Sequence, residues 1–407
     1  MDPERVRGMV WGAVAASAAG LKYTGTDPQN LWDLSVDDVA KKPGASNGRY
    51  PPGAWCALVE PVFVAMEAAE AAPAVAAVPG DRDVPVDVAR KFVLEFAERY
   101  QDWSRNGVRS WHESNTPYEQ DAHSQQVCTA ARFLEQPMSV ADKQPLLPTD
   151  NATIIRALFA AIMPSDQQAV QMAIFMCRVT HRGQPVLAST VLVTLLLQSL
   201  LFGGRDVRAI KFAAARAREF LQSGSIQRKR LFSALMCSQL ENVGGPDHFG
   251  DHMSSVRCAV WAFRACLSAG ADVSAERQRA LFVKVVRDVA SKGGAAGYHC
   301  AVAGAVVGAF YGESALPAWR SELGHADWVQ SHVDDVVDLM FVRRPRAFKF
   351  VEEREREAAL AAAGALPDAA GALPDAATYT DGPSDAPPET YNDDLADDLL
   401  SDWEAGI

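Results

Sequence analysis

One stretch is the starting point for predicting the fold class of this protein: GGAAGYHCAVAGAVVGAFYGESALPAW, from Gly293 to Trp319. Its middle carries small residues at helical spacing, namely Ala301, Ala303, Gly304, Ala305, Gly308 and Ala309. Side chains this small predict a thin helix that packs closely against its neighbours. The glycine-rich loop before the helix is typical of a ligand-binding turn. Yet no acidic residue lies between Asp288 and Glu313.

The central part of the chain shows further helical patterns and no run of alternating strands. Apolar residues at three- and four-residue spacing predict helices over residues 166–180, 185–203, 205–221, 226–240, 253–268 and 275–290. The stretch 185–203 is apolar on nearly every side, so we expect it in the middle of the molecule. No repeat of roughly 30 to 45 residues is visible, which argues against a solenoid. The sequence therefore predicts an all-α multi-helix bundle.

The acidity of the chain is concentrated at its end. The net charge is −12 over 407 residues, and residues 364–407 hold nine Asp, two Glu and no Lys or Arg. The preceding part is close to neutral, which argues against a nucleic-acid partner because phosphate contacts need a basic face. We predict a helical domain over residues 1–350 and a disordered, acidic, low-complexity tail over residues 351–407. This tail is either a solubilising segment, the interpretation we favour, or the docking segment for a protein partner.

The cysteines and the apolar runs bear on the location of the protein. The seven Cys are scattered, with no CxxC pair and an odd total, which predicts reduced thiols in an intracellular protein. No early apolar run follows a basic segment, and no uncharged stretch looks apolar enough to cross a bilayer. We therefore expect a cytoplasmic protein without a membrane partner.

Six pieces of the chain follow one another in an order that resembles a known family. They are RVRGMVWGAVAASAAG (5–20), PPGAWCALVEPVFVAMEA (51–68), YQDWSRNG (100–107), NATIIRALFAAIM (151–163), THRGQPVLAS (180–189) and the opening stretch. Together they resemble the ADP-ribosylglycohydrolases, the DraG-like enzymes that remove ADP-ribose from modified proteins and nucleotides. The resemblance covers about residues 5–325. Each piece alone is weak, because small-residue helices are common, and it is their joint order that points to the family.

The resemblance implies an all-α bundle with two Mg²⁺ ions in a central cleft. In the family, acidic residues of the motifs GDALG, WTDDT and GGDTDT hold these ions, since hard cations prefer carboxylate oxygens. The ions bind the ribose hydroxyls and help to activate the water that attacks the anomeric carbon. ADP-ribose or an ADP-ribosylated protein is the partner that the resemblance implies.

This sequence matches the frame of the family but departs from it at the acidic positions. Arg156, Thr180, His181, Pro317 and Trp319 match, as does Asn151, although Ala152 stands where the family has Gly. The positions matched to metal ligands hold Ser17, Cys56, Ala57, Leu58, Ala295 and Gly297, and Tyr298 replaces a Thr. We therefore expect no metal cofactor, no catalytic residue and no Mg²⁺-dependent hydrolysis.

A ligand-binding role can outlast the loss of catalysis. Backbone amides at a helix N-terminus hold phosphate without a metal ion, and the opening loop enters such a helix. The residues that we expect around an ADP-ribose or related nucleotide are Asn151, Arg156, His181, Gly293, Gly294, Ala295, Ala296 and Tyr298.

Two other functions stay open at this point. An active hydrolase with relocated metal ligands would need a new cluster, for which the candidates are Cys56, His299 and Cys300, or Asp247, His248, Asp251 and His252. A non-catalytic interaction protein without a small ligand is favoured if side chains such as Tyr298 and Trp55 fill the cleft.

Overall fold

The computed structural model describes residues 1–31, 34, 52–78, 82–107, 122–144, 152–237, 240, 243 and 251–343, and within these ranges it contains helices and no β-strand. The all-α prediction is confirmed. The helices are α1 (Pro3–Leu21), α2 (Glu60–Ala71), α3 (Ala74–Ala77), α4 (Val86–Asn106), α5 (Ala122–Thr129), α6 (Pro137–Ala141), α7 (Ala157–Ala161), α8 (Asp166–Arg178), α9 (Gln184–Leu201), α10 (Val207–Arg218), α11 (Ile226–Leu235), α12 (His252–Ala269), α13 (Ala275–Ala290), α14 (Ala296–Tyr311) and α15 (Ala326–Asp338). Residues 351–407, predicted to form the acidic tail, lie outside the described ranges.

Short polar side chains set the starts of several helices. Ser165, Asp206, Ser225 and Ser274 each accept a hydrogen bond from a backbone amide in the first turn of the helix that follows. Such caps satisfy amides that have no partner within the helix. The helix predicted from residue 205 therefore begins only after its cap, at Val207.

Helix α9 lies in the core, as its all-round apolar pattern predicted. Its side chains pack among those of α8, α10, α12 and α14. One expectation is wrong here: by length and composition Gln184–Leu201 is apolar enough to cross a membrane, with a mean hydropathy of 1.6. In this fold 83% of the helix is buried inside the protein. A core helix and a membrane span share this composition, because both contact only apolar groups.

Helices α1 and α14 pack backbone to backbone in the centre of the molecule. A β-carbon on Gly308 would lie 1.8 Å from the carbonyl oxygen of Gly8, and one on Gly12 would lie 2.3 Å from that of Gly304. Glycine is the residue that permits such an approach. Since Gly8 meets Gly308 and Gly12 meets Gly304, the two helices run antiparallel.

This antiparallel pair positions the candidate site at one of its own ends. The last turn of α1, at Gly20, lies against Ala296 and Cys300 at the start of α14. Two short 3₁₀ turns, Ala57–Val59 and Ile154–Arg156, also contact the α14 helix. Four of the sequence pieces that resemble the family therefore meet in one region.

Candidate functional site

The loop before α14 is buried and tied to the chain that follows α1. Gly293 and Gly294 have φ values of 60° and 56°, in the left-handed region that favours glycine. The Gly294 carbonyl accepts from the Gly25 amide at 2.7 Å, and the Gly294 amide donates to the Thr26 carbonyl at 3.1 Å. The Gly293 amide likewise donates to the Ala290 carbonyl at 3.0 Å. Backbone partners thus hold the loop, so two of its candidate phosphate-binding amides are already bonded.

The first turn of α14 is closely packed against the end of α1. The Gly297 amide donates to the Thr24 hydroxyl at 2.9 Å. A β-carbon on Gly297 would lie 3.1 Å from that hydroxyl and 3.3 Å from Leu21. An aspartate at this position would therefore require its neighbours to move. Ala295 and Ala296, the two preceding residues, are also buried.

Tyr298 connects α14 to the Ile154–Arg156 turn. Its phenol oxygen accepts a hydrogen bond from the Ile155 amide at 2.9 Å. The side chain is 2% exposed. Tyr298 therefore fills space between the elements of the candidate site and bonds them together, a contact that the sequence did not predict.

The remaining positions matched to metal ligands also lie in this region. The Ser17 hydroxyl donates to the Val14 carbonyl at 2.8 Å and accepts a hydrogen bond from the Cys56 amide at 3.4 Å. Cys56 and Ala57 are buried, and Leu58 is partly buried. The structure thus places Ser17 beside Cys56, and none of the side chains at positions 17 and 56–58 is a carboxylate.

Arg156 and His181 belong to a second, fully buried polar group. The Arg156 guanidinium donates to the Thr180 hydroxyl at 2.9 Å and to the Met176 carbonyl at 2.7 Å, and it lies 4.5 Å above the Tyr100 ring. The same Thr180 hydroxyl lies 2.8 Å from Nδ1 of His181. These bonds position both predicted ligand residues within the protein interior. Asn151 lies outside the described residues.

The acidic residue nearest to the motif at residues 55–59 is hydrogen-bonded to a residue of another helix. Glu60, at the start of α2, accepts a hydrogen bond at 2.6 Å from the indole of Trp103 on α4. It is 1% exposed. Glu60 therefore ties α2 to α4 rather than supplying a ligand beside Ala57.

The residues at the candidate site do not fit the two Mg²⁺ ions that the resemblance implies. Mg²⁺ in proteins takes oxygen ligands, with carboxylates supplying the charge. The matched positions offer one hydroxyl, that of Ser17, which already donates to a carbonyl, together with thiol and aliphatic groups. Without a carboxylate this donor set has nothing to offset the cost of dehydrating the ion.

Relocated ligands find no support among the described residues, which contain no group of three or more His, Cys, Asp or Glu suited to a metal ion. Burial raises the pKa of the Cys300 thiol, which donates to the Val286 carbonyl, and lowers the pKa of His299 to about 4. Asp251 caps α12 and bonds Arg230. Asp247 and His248 lie outside the described residues.

Several contacts of the candidate site left no signal in the sequence. The Thr24 hydroxyl bonds the Gly297 amide and the Ile155 amide bonds Tyr298, because the fold brings these distant residues together. His123 donates to the Thr180 carbonyl at 3.0 Å, and its ring lies 4.8 Å from that of His181. An isolated histidine in a polar segment gives no indication of such a partner.

Comparison with known proteins agrees with this frame. The family model described as ADP-ribosylglycohydrolase matches residues 2–346. Among solved structures, the chain is similar to one from an ADP-ribosylglycohydrolase-related protein complex, with a TM-score of 0.57 and 17% identity, covering 83% of this chain and 99% of that one. At this identity the likeness shows the fold alone. A search of curated proteins found no match. Because the family model spans most of the sequence, the chain belongs to the ADP-ribosylglycohydrolase family.

Proposed function

We propose that this chain is a member of the family that has lost Mg²⁺-dependent hydrolysis of ADP-ribose linkages. The chemistry of the positions matched to the metal ligands carries this proposal. Ser17, Ala57 and Ala295 are all buried, and none of them bears the carboxylate that Mg²⁺ requires.

The bonds at the start of α14 support the same conclusion. In a working metal site, loop and helix groups are directed towards ions and substrate. Here the Gly297 amide is bonded to Thr24, and the Tyr298 hydroxyl is bonded to Ile155. Protein groups thus take up the Gly297 amide and the Tyr298 hydroxyl.

The remaining role that these contacts favour is protein interaction rather than nucleotide binding. ADP-ribose would have to displace the bond from the Gly294 amide to Thr26 in order to use that amide for its pyrophosphate. We therefore expect the dissociation constant of ADP-ribose to exceed about 1 mM. A cytoplasmic location and a solubilising role for residues 351–407 are further parts of this proposal, and docking of a protein partner by this tail is the alternative.

The first test is the release of ADP-ribose from Arg- and Ser-modified peptides by the purified full chain, with Mg²⁺ and with a chelator. We expect the rate of the enzyme-free blank in both conditions. An active member of the family, assayed in parallel, establishes that the peptides are competent substrates. Mg²⁺-stimulated release that disappears on chelation would contradict the proposal and favour a hydrolase with relocated ligands.

The second test is calorimetric titration of the full chain with ADP-ribose, in the absence and presence of Mg²⁺. We expect no saturable heat below the millimolar range in either condition. Saturable Mg²⁺-independent binding without turnover would instead identify an ADP-ribose-binding protein. In that case Tyr298→Phe, which frees the Ile155 amide, would show whether the ligand uses this region.

A further inference from the structure

Helix α15 covers the second motif of the candidate site. Its Trp328 stacks on Trp55 with ring centroids 6.4 Å apart, and it packs on Phe63 of α2 at 4.8 Å. Trp55 is 1% exposed beneath this cover. The contact between α15 and α2 therefore decides how the stretch that begins at Trp55 is shielded.

One histidine lies at the centre of this contact. Nδ1 of His332 on α15 lies 2.9 Å from the carbonyl oxygen of Trp328, and its Nε2 lies 3.1 Å from a carboxylate oxygen of Glu67 on α2. Both partners are acceptors, so both ring nitrogens must donate. Only the doubly protonated, cationic ring can do so. The geometry therefore specifies a charged histidine.

The groups around His332 favour this cation. Burial lowers the pKa of His332, but the hydrogen bonds with Glu67 and the Trp328 carbonyl outweigh it, together with the charges of Glu67 and Glu70. The net result is a pKa raised above the ordinary 6.5. The imidazole ring also lies 4.2 Å from the Trp328 ring, where a cation is attracted to the aromatic face.

The surface beside Glu67 is largely acidic. Glu67 also lines a pocket of about 400 Å³ between α2 and α4. The charged residues that share this pocket are Glu95, Glu98, Asp102 and Arg99. On α15 itself, Asp335 stands one turn after His332. A neutral His332 would leave Glu67 near these carboxylates without its own counter-charge.

Three other contacts of α15 and the residues just before it do not depend on a group that titrates near neutral pH. The Trp11 indole of α1 donates to the Gln330 amide at 3.0 Å. The Trp55 indole donates to the Gly324 carbonyl at 3.2 Å, just before the helix. An exposed ion pair joins Arg7 to Asp334 on the α1 side. His325 precedes the helix and is exposed.

We propose that His332 is a proton-dependent latch that holds α15 against α2 and over Trp55. When the ring loses its proton, one nitrogen can no longer donate and the ion pair with Glu67 is lost. Helix α15 then loosens from α2 while its bonds to Trp11 and Arg7 of α1 remain. This regulation is independent of whether the chain hydrolyses ADP-ribose.

The direction of the pH dependence follows from the raised pKa of His332. A group whose pKa is higher in the docked than in the undocked helix stabilises docking fully below the undocked value, about 6.5. That stabilisation is lost as the pH rises through the docked value. Across this range the equilibrium constant for docking should fall about tenfold for each unit by which the pKa of His332 in the docked helix exceeds that in the undocked helix.

Amide hydrogen exchange of the full chain, followed by mass spectrometry between about pH 6 and pH 9, tests the latch. After correction for the intrinsic exchange rate, protection of residues 326–338 should fall as the pH rises. Protection of α9 serves as the internal reference and should stay level. Protection of α15 that does not change with pH relative to α9 would overturn the proposal.

Two variants separate the proton from simple packing. His332→Gln and Glu67→Gln should each abolish the pH-dependent step, and Glu67→Gln should also lower the pKa of His332 followed by NMR. His325→Gln, at the residue just before the same helix, is the matched control and should leave the step unchanged. A step that persists in Glu67→Gln would overturn the proposal, even if His332→Gln fails to fold.

Discussion

The two ends of α14 are held in the fold in different ways. Towards its C-terminal end, Gly308 brings the backbone against Gly8 of α1, with no room for a β-carbon. Towards its N-terminal end, Tyr298 holds the helix through a hydrogen bond from Ile155. The first contact depends on shape, and the second depends on polar partners. Since the candidate site lies at the polar end, changes of pH and ligand should act there and leave the other end unaffected.

The largest loss of stability is expected at Gly308, where the contact between the two helices depends on shape alone. The substitution Gly308→Ala places a methyl group 1.8 Å from the Gly8 carbonyl oxygen, which is backbone and cannot rotate away. We expect the free energy of unfolding to fall by about 3 kcal/mol or more. Urea denaturation followed by circular dichroism measures this change.

A glycine outside the helix pair provides the control. A β-carbon on Gly183, before α9, would meet its nearest neighbour at 3.9 Å. Gly183→Ala should therefore cost less than about 1 kcal/mol, the difference between these residues at a helix start. Equal losses in the two variants would show that backbone contact between α1 and α14 is not what stabilises the pair.

The next effect is a pH dependence at the polar end of α14. His299 has no hydrogen-bond partner for either ring nitrogen among the described residues, and burial lowers its pKa from 6.5 to about 4. Its neutral form therefore stabilises the fold fully above pH 6.5, and that stability is lost as the pH falls towards 4. Between about pH 7 and pH 5 the loss should reach about 2 kcal/mol.

The variant His299→Met isolates this contribution. It replaces the titrating ring by an apolar side chain of similar volume, so the interior stays filled. The difference in unfolding free energy between wild type and variant should change by about 2 kcal/mol across the same pH range. Parallel curves for the two proteins would show that His299 does not carry the acid sensitivity.

A smaller effect should follow from the loss of one hydroxyl. Tyr298→Phe leaves the buried Ile155 amide without its acceptor. We expect a cost of about 1.5 kcal/mol, within the range for an unsatisfied buried donor. The measurement is again urea denaturation.

Tyr311 at the other end of α14 is the matched control. Its hydroxyl donates to the Gly270 carbonyl at 2.8 Å in a partly buried setting. Water can replace that donor, so Tyr311→Phe should cost less than Tyr298→Phe, about 0.5 to 1 kcal/mol. A larger cost for Tyr311→Phe would mean that the hydroxyl of Tyr298 is not an important connection.

The smallest expected effect is that of Mg²⁺. A ligand that binds only the native state raises the melting temperature, and the rise grows with the logarithm of the ligand concentration once that exceeds the dissociation constant. With no carboxylate at Ser17, Ala57 or Ala295, millimolar Mg²⁺ and a chelator should give the same melting temperature within error. Ca²⁺ at the same ionic strength controls for non-specific salt effects. A shift specific to Mg²⁺ would contradict the proposed loss of the metal site.

Much of the fold was determined by the sequence alone. The spacing of small residues from Ala301 to Ala309 predicted a closely packed helix, and the apolar pattern of 185–203 predicted a central one. These features depend on residues a few positions apart, so they can be read without knowing the fold. The order of the motifs likewise identified the family, and the missing acids at Ala57 and Ala295 are visible in the sequence.

Only the tertiary structure decided which polar side chains and amides are hydrogen-bonded to each other. Tyr298 and Ile155 are 143 positions apart, and His332 and Glu67 are 265 positions apart. Nothing near either residue in the sequence indicates such a partner. A hydrogen bond needs two atoms within about 3 Å of each other, and for distant residues that distance is set by how the helices cross. Local spacing therefore determines the helices, and their packing determines which polar groups meet.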